Sequence, residues 1–192
     1  MIIAWSAEFC GIKDYKPSRP VLSPLVDNKT KLFRRYAVIH IDERGQPHRG
    51  VHGVNWHKVR EYLESKGYFV VQAGLYIHET VAIEINTQSV GLLKFLIAGC
   101  DMFIGVDSAP AHIAVAYNKP SVLFFGSVNP NFIHPDLTNV KVIHNSCDKE
   151  YCWHTKAGSV EGVPCFYEGT EKYLQCCTTN ENIVIDAINE LI

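Results

Sequence analysis

At 192 residues, 47% of them hydrophobic, the chain is sized for one domain with a substantial core and an appendage. Eighteen Lys and Arg face 20 Asp and Glu, a formal net charge of −2, so no basic excess marks a nucleic-acid surface, although a local phosphate pocket stays compatible. The longest apolar runs, SVLFFGS and LLKFLIAGC, fall well short of the roughly 18–20 residues that span a bilayer. The opening MIIAWSAEFCGIKD lacks the basic and apolar regions of a secretory signal, which makes the cytoplasm the expected compartment.

Residues 1–35 carry Pro17, Pro20 and Pro24 and the charged run DNKTKLFRR without a sustained period, and read as a connector. The pattern changes at Tyr36. YAVIHID reads as a strand, NWHKVREYLESKG as a helix with Trp56, Val59, Tyr62 and Leu63 on one face, and YFVVQAG as a second strand, together a βαβ unit. ETVAIEIN is a weaker strand, and TQSVGLLKFLIAGC is a helix with Val90, Leu93, Leu96 and Ile97 as its buried stripe. After these come strand MFIGVD, helix PAHIAVAYN, strand SVLFFG, a loop rich in Asn and Pro, strand VKVIHN, a Cys-rich segment and a last helix, NENIVIDAINELI. Strands at 38–41, 69–72, 102–106, 121–125 and 140–143 alternate with helices, several of them apolar on both faces. The expected fold is α/β, a parallel sheet covered by helices on both sides.

In such a sheet, ligands sit beyond the carboxyl ends of the strands, where helix N-termini present unpaired N–H groups. GVDSAPAH lies at one of these ends. Pro110 suits a first helical turn and Ser108 suits an N-cap. Small side chains at Ser108 and Ala109 let a ligand approach the backbone, and the helix dipole favours phosphate oxygens there. Asp107 is placed to accept hydrogen bonds from sugar hydroxyls, and His112, one turn in, to donate to a phosphate or sugar oxygen. From spacing alone, a capped helix with a core histidine is an equal alternative.

The stretch FIGVDSAPAHIAVAYNKPSVLFFGSVNP resembles the signature of glycosyltransferase family 9, the ADP-heptose:lipopolysaccharide heptosyltransferases, with its Asp-Thr/Ser-Gly-Pro-x-His turn and following strand. SVGLLKFLIAGCDMFIGVD is similar to the helix and strand that lead into that motif. The resemblance implies a GT-B glycosyltransferase, two Rossmann-like domains facing a cleft, of which residues 36–192 are similar to the C-terminal, donor-binding half. It implies that Asp107, Ser108, Ala109 and His112 hold the phosphates and sugar of a nucleotide-sugar, ADP-heptose-like, with Gly126 and Ser127 near the cleft. Ala109 stands where the family usually has Gly, tolerable only if that position needs no positive φ. Where the family tends to place a Lys before a Trp, the nearest cations ahead of Trp56 are Arg49 and Arg44, with a solvated loop charge as the alternative for Arg49. Trp56 itself reads more readily as a core aromatic than as a base-stacking one.

Cys147, Cys152, Cys165, Cys176 and Cys177 crowd the last quarter of the chain, in segment 146–178, while Cys10 and Cys100 stand apart. The spacing is looser than paired C-x2-C knuckles. Four thiolates at Cys147, Cys152, Cys165 and Cys176, with His154 as a substitute ligand, would close a structural Zn or Fe site; reduced thiols and disulfides are the competing readings, the last disfavoured by the compartment. Among proteins the resemblance brings in, some autotransporter heptosyltransferases bind iron through four cysteines in this region. A cysteine nucleophile is not indicated, since no His-partner pattern accompanies these thiols.

Glycosyl transfer with inversion needs a general base at the acceptor hydroxyl and donors on the departing phosphate. The resemblance puts the base in the first domain, with no cofactor required. Residues 1–35 then read as the interdomain linker and remnant of that domain, and the chain as an enzyme incomplete at its N-terminus, acting on a glycan or protein acceptor. Nothing favours Asp42, Glu43 or Glu84 as a local base. A non-catalytic nucleotide-sugar-binding module is the alternative. A plain dinucleotide-binding domain ranks low, because DERGQPHRG lacks the G-x-G-x-x-G spacing after the first strand.

Overall fold

The computed structural model describes residue 22 and residues 35–42, 46–75, 81–134, 137–152 and 165–192. Most of the 1–35 connector, and Cys10, Glu43, Arg44 and His154, lie outside the described residues.

Six parallel strands form one sheet: β1 (Tyr36–His40), β2 (Phe69–Gly74), β3 (Ile83–Asn86), β4 (Met102–Val106), β5 (Ser121–Phe124) and β6 (Val140–Ile143). Their spatial order is β3-β2-β1-β4-β5-β6. The chain builds outward from β1 to β3, then returns to the other side of β1 to lay down β4, with Ile39 beside Ile104 and His40 beside Gly105. β5 and β6 extend the sheet away from β4. The helices are α1 (Trp56–Ser65), α2 (Val90–Gly99), α3 (Ala109–Ala116), the single turn α4 (Pro130–Ile133) and α5 (Glu181–Asn189), with a one-turn 3-10 helix at Pro47–Arg49. The predicted α/β architecture with a parallel sheet is what is found.

Alternation along the strands divides the core in two, because successive side chains point to opposite faces. Ala37, Ile39, Met102, Ile104 and Val106 face one side and pack with Trp56, Val59 and Leu63 of α1 and Val184 and Ile188 of α5. Tyr36, Val38 and Phe103 face the other and pack with Leu96 and Ile97 of α2 and Ala111, Ala114 and Val115 of α3. All five residues of β1 and of β4 are buried, which is why these strands are apolar on both faces rather than alternating. On the second face the Tyr36 hydroxyl donates to the Leu96 carbonyl at 2.6 Å. Gly99 makes room for it: a Cβ there would lie 2.5 Å from the Tyr36 oxygen.

Side-chain caps start four of these helices, α4 through Asn129, which accepts from the Asn131 amide. Asn55 accepts from the Lys58 amide, Ser89 from the Leu92 amide, and Asn180 from the amides of Asn182 and Ile183. Lys58 and Glu181, 2.7 Å apart, join the N-terminal ends of α1 and α5.

Two expectations change. Val90 is 68% exposed, so the buried stripe of α2 is Leu93, Leu96 and Ile97; Val90 instead borders a cavity. The ETVAIEIN strand shrinks to four residues at the sheet edge, where one neighbour supplies its hydrogen bonds and Ile83 stays exposed.

Trp56 is a core residue, 3% exposed and edge-on to Phe124 with centroids 5.8 Å apart. Trp56→Ala removes a buried aromatic between α1 and the sheet, and the expected cost is roughly 3–5 kcal/mol, read as a lower midpoint in chemical denaturation.

Candidate functional site

Because the crossovers leaving β1 and β4 run to opposite sides of the sheet, the loops beyond their carboxyl ends diverge and open a crevice. A cavity of about 400 Å³ occupies it. His40, Arg49, Thr87, Asp107, Ser108 and Ala109 are among its lining residues, so three strand ends and the start of α3 contribute. His40 is pinned at the end of β1 by a 2.8 Å contact from Nδ1 to the Ala73 carbonyl, and the Thr87 amide bonds to the Gly74 carbonyl at 3.3 Å.

Ser108 holds the N-cap position of α3, but it does not cap. Its hydroxyl donates back to the Val106 carbonyl at 2.9 Å, and no side chain caps this helix, unlike α1, α2 and α5. The sequence expectation of a Ser108 side-chain cap is therefore corrected: the hydroxyl is drawn into the tight turn out of β4. Ala109 begins the helix with ordinary backbone geometry, and the positive-φ non-glycine residues among those described lie elsewhere, at Asn118, Tyr151 and Leu174. No glycine is needed where Ala109 stands.

Arg49 reaches across the crevice. Its Nη2 donates to the Asp107 carbonyl at 2.9 Å and lies 3.4 Å from Asp107 Oδ2, which makes it a paired cation over the pocket rather than a solvated loop charge. The loop that carries it is anchored from behind. His52 Nε2 donates to the Pro47 carbonyl at 2.8 Å, the His52 amide to the Cys177 carbonyl at 2.9 Å, and the Thr179 amide to the His52 carbonyl at 2.9 Å. His52 and Thr178 thus form a short parallel bridge that ties the Arg49 loop to the end of the Cys-rich segment.

Gly126 and Ser127 are not among the residues lining the cavity. A Cβ on Gly126 would meet the His48 carbonyl oxygen at 2.5 Å and the Cys177 Cβ at 3.2 Å, so glycine is required by the close approach of the Arg49 loop. Ser127 is buried with its hydroxyl unpartnered.

His112, exposed along one edge, rests its ring against His134 at 4.5 Å between centroids. Partial burial holds His112 below the usual histidine range, with Asp107 opposing that shift and Arg49 adding to it. Burial also pushes His134 down, to about 4, with His112 contributing. One donor atom from each of Asp107, His112 and His134 lies within 4.8 Å of the others. His134 was not singled out from the sequence, where it sits in a polar loop after β5 with no periodic signal; only its place between the apolar Phe132–Ile133 pair and a Pro hinted at burial.

None of the described cysteines is in a disulfide, neither Cys147, Cys152, Cys165, Cys176 and Cys177 of the Cys-rich segment nor Cys100 outside it. Cys147, Cys152, Cys165 and Cys176 lie close enough that the thiols of Cys147 and Cys152, pushed up chiefly by burial, are raised further by Cys165 and Cys176. Cys177 is buried, and its thiol points to the carbonyls of Leu174 and Pro47 at 3.4 and 3.7 Å. Lys172 pairs with Asp148 at 3.6 Å and lies over the Tyr167 ring, bringing the two described ends of the segment together.

Residues 53–159 match glycosyltransferase family 9 (heptosyltransferase), more than half of the chain. Lipopolysaccharide heptosyltransferase 1 of Campylobacter coli is 30% identical over 90 residues, 47% of this chain and 25% of that protein. Among solved structures, the iron-containing dodecameric glycosyltransferase TibC of enterotoxigenic E. coli superposes with a TM-score of 0.70 at 22% identity, over 82% of this chain and 45% of TibC. TibC in complex with ADP-D-beta-D-heptose gives a TM-score of 0.69 at 20% identity, over 86% of this chain and 48% of that one. The chain therefore spans under half the length of these relatives, and its sheet is the fold they share. With more than half its length matched, β4 and the Asp107–Ala109 turn included, the chain belongs to glycosyltransferase family 9.

Proposed function

We propose that the crevice between β1 and β4 is the donor site of a glycosyltransferase and takes a nucleotide-activated sugar, ADP-heptose-like. The observation that carries this reading is the uncapped N-terminus of α3 opening into a cavity beside Arg49. Main-chain amides at a helix start, with the positive end of its dipole, suit a diphosphate. Arg49 spends one nitrogen on Asp107, and the rest of its guanidinium fork is free in geometry to take phosphate oxygens. Asp107 and His112 then lie at the sugar end, the carboxylate accepting from hydroxyls and the imidazole offering one ring nitrogen. TibC, the structural relative seen with ADP-D-beta-D-heptose, supplies the chemical class of the donor.

In the transfer step, the bond between the anomeric carbon and the diphosphate oxygen breaks as the acceptor oxygen bonds to that carbon. Negative charge accumulates on the leaving nucleoside diphosphate, where Arg49 and the α3 amides are positioned to stabilise it. The acceptor's proton goes to a general base. Asp107 is engaged by Arg49, and we assign that role to a second domain facing this one, residues 36–192 acting as the donor half. A binding module without turnover is the reading to be displaced.

The four thiols of Cys147, Cys152, Cys165 and Cys176 fit a structural metal. They are unbridged by disulfides, near enough to raise one another's thiols and of the soft donor type that holds Zn or Fe tetrahedrally, and an ion there would have to draw their sulfurs together. TibC is iron-containing. Such an ion would brace the segment whose end, through Cys177 and Thr178, supports the Arg49 loop. It would take no part in glycosyl transfer.

Three outcomes are expected. Titration calorimetry with ADP and ADP-heptose gives binding to this chain, and Arg49→Ala weakens it about 10- to 100-fold, the value of a hydrogen bond to a charged group; unchanged affinity in the variant removes Arg49 from the site. Gly126→Ala, which forces the His48 carbonyl away, destabilises the fold by about 1–3 kcal/mol and weakens nucleotide binding beyond what a core variant of equal stability does. Elemental analysis of the purified chain finds Zn or Fe, lost on Cys147→Ser or Cys165→Ser. ADP release on supplying an acceptor and the facing domain separates the enzyme from the module.

A further inference from the structure

We infer that Asp107, His112 and His134 form a binding site for a borderline divalent cation such as Zn2+ at the rim of the donor crevice, separate from the cysteine cluster. Three ligand-type atoms, from His112 in α3, Asp107 just after β4 and His134 just after α4, converge to within 4.8 Å of one another. The independent observation is His134. It is only 3% exposed, its Nε2 has no hydrogen-bond partner, and its ring packs against His112 in a tilted arrangement. A buried ring nitrogen with neither donor nor acceptor opposite it is costly to leave unmet, and a cation coordinated there would meet it.

The donor set selects the ion. Two imidazoles and one carboxylate suit Zn2+, Co2+ or Ni2+ and disfavour Mg2+ and Ca2+, which prefer all-oxygen shells. Bonds of about 2.0–2.2 Å would place ligand atoms roughly 3.5 Å apart, so occupation needs a closing movement of about 1 Å, within reach of rotamer adjustment at His112 on its exposed edge. Arg49 is the like charge facing the site. It engages Oδ2 of Asp107, and the carboxylate has a second oxygen to give. His112, open to solvent along one edge, provides the entry path, and the remaining coordination positions fall to water or an incoming oxygen ligand.

The inference deepens the donor-site reading in one respect, and rests on it there: Asp107 and His112 are also assigned to the sugar end, so a bound cation and the nucleotide-sugar compete. The site itself stands on geometry alone.

The test is histidine-selective 15N NMR of the full chain, titrated with ZnCl2 and separately with MgCl2 in the absence of nucleotide. Zn2+ is expected to shift the ring nitrogens of His112 and His134 together, while Mg2+ leaves them in place. His134→Ala should abolish the His112 response and weaken zinc binding at this site by at least about tenfold, the scale on which loss of a coordinating contact is felt. Asp107→Asn, which keeps the shape and so the fold, should weaken it likewise. Reading the imidazoles directly keeps zinc taken up by the cysteines from mimicking the result. Immobile His112 and His134 signals under excess zinc, or a His112 shift that survives both substitutions, overturn the site. If zinc binds here yet leaves ADP-heptose affinity untouched, the cation site stands and the assignment of Asp107 and His112 to the sugar fails. If ADP-heptose binds and zinc moves neither ring, the donor reading stands and the cation site fails.

Discussion

Arg49 and Asp107 stand 58 positions apart in sequence, on loops that leave neighbouring parallel strands in opposite directions, and their contact bridges the place where the sheet would otherwise gape. An arginine set over a carboxylate in a half-open crevice contributes little to stability in itself, because solvent screens it. Its importance is positional. It puts a fixed cation beside an uncapped helix start, at a cavity whose lining also carries Asp42 and Asp107. The rest of the local structure can be understood as what is needed to keep Arg49 there.

That support comes from far along the chain. The 3-10 turn at Pro47–Arg49 is too short to hold itself, and its fastening is the bridge between His52 and Thr178, flanked by two main-chain hydrogen bonds of 2.9 Å. Gly126, after β5, removes the one Cβ that would push the turn outward. Cys177 fills the space beneath it, its thiol pushed well up by Cys176 and by burial and so kept neutral, as suits a packing residue near Pro47. The Cys-rich segment therefore reaches the crevice through its last residues, and whatever orders its thiols also steadies the cation.

The sheet was legible because its constraint is local. Strands buried on both faces must be apolar at every position, and the helices between them must be amphipathic, so VIH, FVV, MFIGV and SVLFF announce themselves. The turn at Asp107–Ala109 was legible for the same reason, small residues and a proline at a strand-to-helix junction. What sequence could not supply is pairing across distance. Arg49 could be singled out as a candidate cation but not distinguished from a loop charge until β1 and β4 were placed side by side, and the close approach of the His48 carbonyl to Gly126 leaves no mark in either residue's sequence neighbourhood. Val90 shows the converse error. Its spacing fits a buried stripe, but the cavity removes the surface it would have packed against, and periodicity carries no record of a void.

Ser108 bears on how such a site is kept open. A serine at a helix start ordinarily folds its oxygen over the first amides, and here four other helices are closed by Asn or Ser in that way. At α3 the hydroxyl instead turns back to Val106, leaving the helix start without a side-chain cap. Leaving that stabilisation unrealised makes sense only where something else meets the amides, and the cavity in front of them gives a phosphate room to do so. On the proposed donor reading, local stability lost at the start of α3 is recovered when phosphate oxygens meet its amides, and the nucleotide completes the helix that the sequence leaves unfinished.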